Sequence, residues 1–144
     1  MNRFFNILSI ISISISIILI FIIVYWLTYP YKPLVFNDSV FRIKNKEVKA
    51  GGNLVYISNY CKYMNLNAIV SRTFNNGLIF ITPPTTTGRP VGCAIINVNI
   101  SIPTEIPEGK YYLENIYVYQ VNPFRTIIVS HKSEEFTVKG RDEL

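Results

Sequence analysis

The sequence predicts an all-β domain carried behind one membrane-spanning helix, on three observations. No charged side chain lies between Arg3 and Lys32, and within that window residues 7–27 are dominated by isoleucine. As a helix rising about 1.5 Å per residue they span roughly 31 Å, the thickness of a hydrocarbon core of about 30 Å. Beyond Pro30 and Pro33 the pattern changes to short β-branched and aromatic runs separated by Gly, Pro, Asn and Asp, with no 3.6-residue apolar stripe. Among these runs Ala94, Ile96, Val98, Ile100 and Ile102 alternate with Ile95, Asn97, Asn99 and Ser101, the period of a half-buried strand.

The anchor is flanked by Phe4 and Phe5 on one side and Tyr25, Trp26, Tyr29 and Tyr31 on the other, as an aromatic belt requires. A cleaved signal peptide has a shorter apolar region followed by small residues. Here the run ends Tyr25-Trp26-Leu27-Thr28-Tyr29-Pro30-Tyr31, so the span is expected to stay attached. A lipoprotein cysteine is excluded at this junction, the first cysteine being Cys61. The organisation read from the chain is a short cytoplasmic tail (1–6), the transmembrane helix (7–27), a linker stiffened by proline (28–33), a β-domain (34–139) and a C-terminal tail (140–144). Orientation draws on opposed signals. Lys32, Arg42, Lys44 and Lys46 follow the span and only Arg3 precedes it, so a count of basic residues places the C-terminus inside. The six-residue tail containing Arg3 has the form of a retained signal n-region, and this favours the N-terminus in and the domain outside the inner (cytoplasmic) membrane. Asn6, Ser9, Ser12 and Ser16 share one helical face, and Ser12 and Ser16 have small-xxx-small spacing. Weak self-association through this face is the expectation; serines tolerated in an Ile-rich span are the plainer alternative.

In the domain, strand-like runs at 34–36 and 40–43 are separated by Asn37-Asp38-Ser39, and a Gly51-Gly52 turn leads into a third run at 53–63. Runs at 68–74 and 78–82 join through Asn75-Asn76-Gly77, a hairpin signal because Asn and Gly accept positive φ. Residues 83–90, Pro-Pro-Thr-Thr-Thr-Gly-Arg-Pro, read as an exposed loop. Pro83, Pro84, Thr86 and Arg89 are its candidate contact residues, and a plain connector is the alternative. A strand opened by Pro107-Glu108-Gly109-Lys110-Tyr111-Tyr112-Leu113 reaches Val121, Asn122-Pro123 turns the chain, and runs at 124–130 and 136–138 close it.

The Pro-x-Gly-x-Tyr-x-Leu stretch resembles the opening of a late strand in immunoglobulin-like and fibronectin-like β-sandwiches. That resemblance implies an antiparallel sandwich of about seven to eight short strands, with a tyrosine available to tie the corner. The span-then-sandwich layout, rich in Ile and Asn, is also similar to small membrane-anchored proteins of bacteria and their phages. The chain departs from an immunoglobulin domain in its only tryptophan, Trp26, which lies in the span, and in Cys93, which comes too early for the second strand cysteine.

Little in the chain suggests catalysis. His131 is the sole histidine and reads as a solvated position beside Ser130, Lys132 and Ser133. Glu134 and Glu135 are adjacent, which on a strand sends them to opposite faces. No metal-ligand spacing or phosphate loop is present, and no cofactor is expected. The net charge of +5 arises from scattered residues, so no nucleic-acid footprint is expected. Cys61 and Cys93 are expected to pair in an oxidising compartment, two buried free thiols being the alternative. The ten tyrosines read chiefly as strand residues, with protein or glycan recognition as the second reading. The expected partners are the lipid bilayer and an unknown protein. The function read from these features is a non-catalytic structural or interaction module. Two alternatives remain: an accessory protein acting on a host envelope in exclusion or lysis, or a lumenal type II membrane protein of the endoplasmic reticulum. The last would fit the terminal Arg141-Asp142-Glu143-Leu144 and sequons at Asn37 and Asn99.

Overall fold

The computed structural model describes residues 2–140, with side chains from residue 5 onward. The retrieval-like tetrapeptide at 141–144 lies outside the described residues.

The apolar window folds as one helix, α1 (Asn2–Thr28), whose stretch Phe5–Thr28 is long and apolar enough to cross a membrane and is not buried by the rest of the chain. Three of its hydroxyls are satisfied within the helix. Ser14, Ser16 and Thr28 donate to the carbonyls of Ile10, Ser12 and Val24 at 2.9, 3.0 and 2.8 Å, the pairing a polar side chain needs in hydrocarbon.

Residues 34–139 form eleven strands: β1 (Leu34–Phe36), β2 (Val40–Phe41), β3 (Glu47–Lys49), β4 (Asn53–Lys62), β5 (Ala68–Asn75), β6 (Ile79–Ile81), β7 (Thr85–Thr87), β8 (Gly92–Ser101), β9 (Gly109–Asn122), β10 (Arg125–Ser133) and β11 (Phe136–Lys139). One sheet has the order β1-β4-β8. The other contains eight strands, runs β2-β10-β9-β11-β3 with β5 to β7 added through β9, and curls into a half-barrel. The expectation of seven or eight antiparallel strands is corrected on both counts. β2 runs parallel to β10 and β3 parallel to β11. These short strands lie beside the last strands of the chain, with the rest of the domain as the crossover, so no local hairpin signal announces them.

β10 and β11 are two parts of one path along β9, broken at Glu134-Glu135. At the break Glu134 accepts from the Ile43 N–H at 2.8 Å and pairs with Lys46 at 3.1 Å, fixing where the early segment crosses between sheets. These contacts, the backbone one foremost, hold the Glu134 carboxyl below the usual carboxylate range. That segment also closes one side of the domain. β1 covers the edge of β4 at residues 60–62, and residues 42–45 cover its other half through Lys44 N to Val55 O and Ile57 N to Arg42 O, both 2.9 Å.

The core has two tiers. Leu34, Tyr60, Ala68, Val70, Tyr117 and Tyr119 pack near the helix end of the domain, while Tyr56, Leu54, Phe74, Leu113, Tyr111 and Phe136 are among those packed at the far end. The corner before β9 is tied by Tyr111, whose hydroxyl donates to the Pro107 carbonyl at 3.0 Å. The hairpin at Asn75-Asn76-Gly77 forms as read: β5 pairs β6, and Gly77 holds φ 104°.

Candidate interaction site

The side of the domain opposite the early segment is where the fold remains open. β8 pairs with β4 over ten residues, from Gly92 opposite Lys62 to Ser101 opposite Asn53, and no strand among the described residues lies on its other edge. Ile102 N–H donates to Gly52 O at 2.8 Å, so the even-numbered residues of β8 face β4. The alternation therefore turns the N–H and C=O of Cys93, Ile95, Asn97, Asn99 and Ser101 to the open edge. Folded proteins usually guard such edges with proline, charge or shortness. β6 and β7 are three residues long, whereas β8 has ten residues, none of them proline or charged. Ile95 on this strand is 71% exposed. Beside its distal half runs a groove of about 650 Å³, with Ile81, Pro83, Ile100 and Pro103 on its apolar walls and Arg72 and Glu105 as its charged groups.

Cys61 and Cys93 sit directly opposite each other on β4 and β8 and are joined by a disulfide. Asn6, Ser9, Ser12 and Ser16 are exposed along α1. The candidate contact loop divides. Pro83, Pro84 and Thr86 are exposed, but residues 85–87 form β7 against β5, and Arg89 turns inward. Its guanidinium donates to Ser58 Oγ and Tyr117 Oη, each at 3.0 Å, and lies 4.6 Å from the Tyr60 ring centroid and 5.3 Å from that of Tyr117. Lys62, 1% exposed, donates its ammonium to the Arg89 carbonyl; burial, and then the guanidinium nearby, push its pKa down. Arg89 is therefore an internal brace between the sheets, which corrects its assignment to a solvent-facing tip.

His131 is also corrected. It lies on the inner face of β10, 5% exposed, stacked on Phe36 at 4.0 Å and 5.0 Å from Phe41, with Nε2 2.7 Å from the Asp38 carbonyl. That carbonyl can only accept, so Nε2 carries a proton. Burial lowers the His131 pKa, partly offset by the Asp38 carbonyl. Between the two core tiers Asn115 donates to the Tyr56 hydroxyl at 3.2 Å, and its neighbour across the ladder, Arg72, donates to Thr85 Oγ1 at 3.0 Å. Of the tyrosines, 56, 60, 111, 117 and 119 are core residues, while Tyr63 is exposed. Among the described residues no group of three His, Cys, Asp or Glu could hold a metal ion.

At the helix end, the β9–β10 turn caps α1. Asn122 Nδ2 donates to Trp26 O at 2.9 Å, and Arg125 Nη1 donates to the carbonyls of Leu27 and Tyr29 at 2.9 and 2.6 Å. The Trp26 and Leu27 carbonyls are ones a helix C-terminus leaves without intrahelical partners, while the Tyr29 carbonyl, just past the helix, also accepts from the Tyr31 N–H at 2.9 Å. Phe124 lies against Trp26, and Arg125 lies 5.8 Å from the Tyr31 ring centroid. A cleft of about 730 Å³ beside this joint is lined by Tyr25, Tyr29, Tyr31, Lys32, Tyr63 and Met64. Sequence reasoning missed both the capping turn and the open edge. The edge carried one signal, the uncharged, proline-free run at 92–101.

No protein-family model matches the chain, and no curated protein matches it.

Proposed function

We propose that the chain is a single-pass, membrane-anchored, non-catalytic interaction module that recruits a partner by strand addition along β8. α1 tethers the protein, and the domain lies on the extracytoplasmic side of the inner membrane. The Cys61–Cys93 bond supports that side, since disulfides persist in oxidising compartments. The observation that carries the reading is the ten-residue open edge of β8 without proline or charge. An extended segment of another protein would take its main-chain hydrogen bonds from Ile95, Asn97 and Asn99, and its alternate apolar side chains would enter the groove beside Ile100. An immunoglobulin-like architecture is part of the proposal. It is supported by two sheets sharing one core and by the Tyr111 corner, with the parallel strands as the departure.

The test is a photo-crosslinker placed at Ile95 in native membranes, compared with one at Ile128 on the opposite sheet. The expected result is an adduct from position 95 that disappears in Asn97→Pro. Equal adducts from both positions, or an adduct at 95 indifferent to that proline, would refute strand addition.

A further inference from the structure

We infer that the β9–β10 turn, residues 122–125, is a second membrane contact that places Phe124 in the phospholipid interface beside Trp26. The inference rests on the reading of α1 as a membrane anchor. Trp26 lies in the last turns of the apolar stretch Phe5–Thr28, where a helix leaves the hydrocarbon and amphipathic aromatic rings reside. The Phe124 ring centroid is 6.1 Å from that of Trp26. The headgroup zone on each side of a bilayer is about 5–7 Å deep, comparable with that separation, so with Trp26 at the hydrocarbon boundary Phe124 lies no farther out than the headgroup zone. Phe124 is 63% exposed, a large apolar side chain at a tip with no covering from the domain. The tip is also held at this height. Asn122 and Arg125 bond the carbonyls of Trp26, Leu27 and Tyr29, and Asn122 Oδ1 accepts from the Phe124 N–H at 3.0 Å to shape the turn.

The occupant that fits is the glycerol and upper acyl region of the bilayer α1 crosses. An exposed phenylalanine contributes apolar area there, and the Arg125 and Lys32 charges lie at headgroup level, an arrangement common at membrane interfaces. Two attachment points, a helix and a loop tip, restrict rocking of the domain about the linker. The long axis of β9 is thereby set away from the membrane.

The experiment uses the full chain in phosphatidylcholine nanodiscs with lipids brominated near the glycerol end of the acyl chains. Trp26 is the only native tryptophan, so it reports the anchor. The Trp26→Phe/Phe124→Trp double variant reports the tip, and Trp26→Phe/Ile95→Trp reports the distant sheet edge. The expected result is strong quenching in the native chain, quenching at position 124 at least half as large, and none at position 95. Quenching of the native chain with the position-124 reporter behaving like the position-95 reporter would overturn the second contact and leave the anchor standing. An unquenched native Trp26 would overturn both. A measurement on the unaltered chain guards against a misfolded variant: gadolinium-chelating lipids should broaden the Phe124 signals, and sharp Phe124 signals beside broadened Trp26 signals would refute the contact.

Discussion

Replacing Arg89 with alanine separates an internal brace from a surface loop residue. The guanidinium donates to two hydroxyls and lies over two tyrosine rings, and Ser58 and Tyr117 are each 1% exposed. Hydrogen bonds from a charged donor contribute about 1.5 kcal/mol each, here about 3 in all. The two cation–π contacts add about 0.5–1 kcal/mol each. Loss of repulsion with the Lys62 ammonium and entry of water into the vacated space offset a part of this, on the order of 1 kcal/mol, leaving a net loss of about 3 kcal/mol. With an m value of about 4 kcal/mol/M in guanidinium chloride, the unfolding midpoint should fall by roughly 0.7 M. The assay is near-ultraviolet circular dichroism of the tyrosine-rich core, on full chain in micelles with the disulfide intact. Thr86→Ala, on the exposed part of the same loop, should stay within about 0.5 kcal/mol of the parent. A midpoint for Arg89→Ala within about 0.1 M of the parent would refute the brace.

The Cys61–Cys93 bond closes a separation of 32 residues, so Cys61→Ser/Cys93→Ser should lose on the order of 3–4 kcal/mol, checked by denaturant unfolding against the oxidised parent. His131 has a folded pKa below 6.5, and the unfolded chain binds its proton first as pH falls. Stability should therefore be full above about pH 6.5 and decline below it toward the folded value, and His131→Phe should flatten that limb of the stability profile. Asn97→Pro removes an N–H turned to the open edge and should cost within about 1 kcal/mol. Val98→Pro removes one bonded to β4 and should cost about 3 kcal/mol or more. Equal losses in thermal unfolding would show the edge assignment to be wrong.

The parts of this fold legible in the sequence are those whose cause is local. An uncharged apolar window makes α1 whatever lies around it, Asn-Gly makes the β5–β6 turn, and strict alternation makes β8. The polar Glu47–Lys49 became β3 and the threonines at 85–87 became β7 because β11 and β5 offered free edges there. Such pairing is long-range and leaves no periodic mark. His131 misled because its neighbours Ser130 and Lys132 are polar, yet on a strand those neighbours point outward and the residue between them points in. Arg89 misled for the opposite reason. Pro-Thr-Gly-Pro composition describes a loop backbone correctly and says nothing about one long side chain reaching two tyrosines on other strands.

The direction of β8 also decides which partner its edge can take. Gly92 and Cys93 lie opposite Lys62 and Cys61, next to Tyr63 in the cleft at the end of α1, and Ser101 lies at the far end of the domain. The strand therefore runs away from the C-terminal end of α1. Two copies joined antiparallel through β8 would be related by a two-fold axis across the strand, setting the anchored end of one beside the far end of the other. Two α1 helices could not then share one bilayer. Parallel pairing fails differently. A parallel ladder sets a residue pointing across the edge opposite one pointing away, which requires a one-residue offset that a two-fold axis between identical edges forbids. The expected outcome is that crosslinks from Ile95 in native membranes give adducts with another protein and none of twice the chain's own mass. A homodimer crosslinked through Ile95 would show that β8 is oriented otherwise, and the strand-addition reading would fall with it.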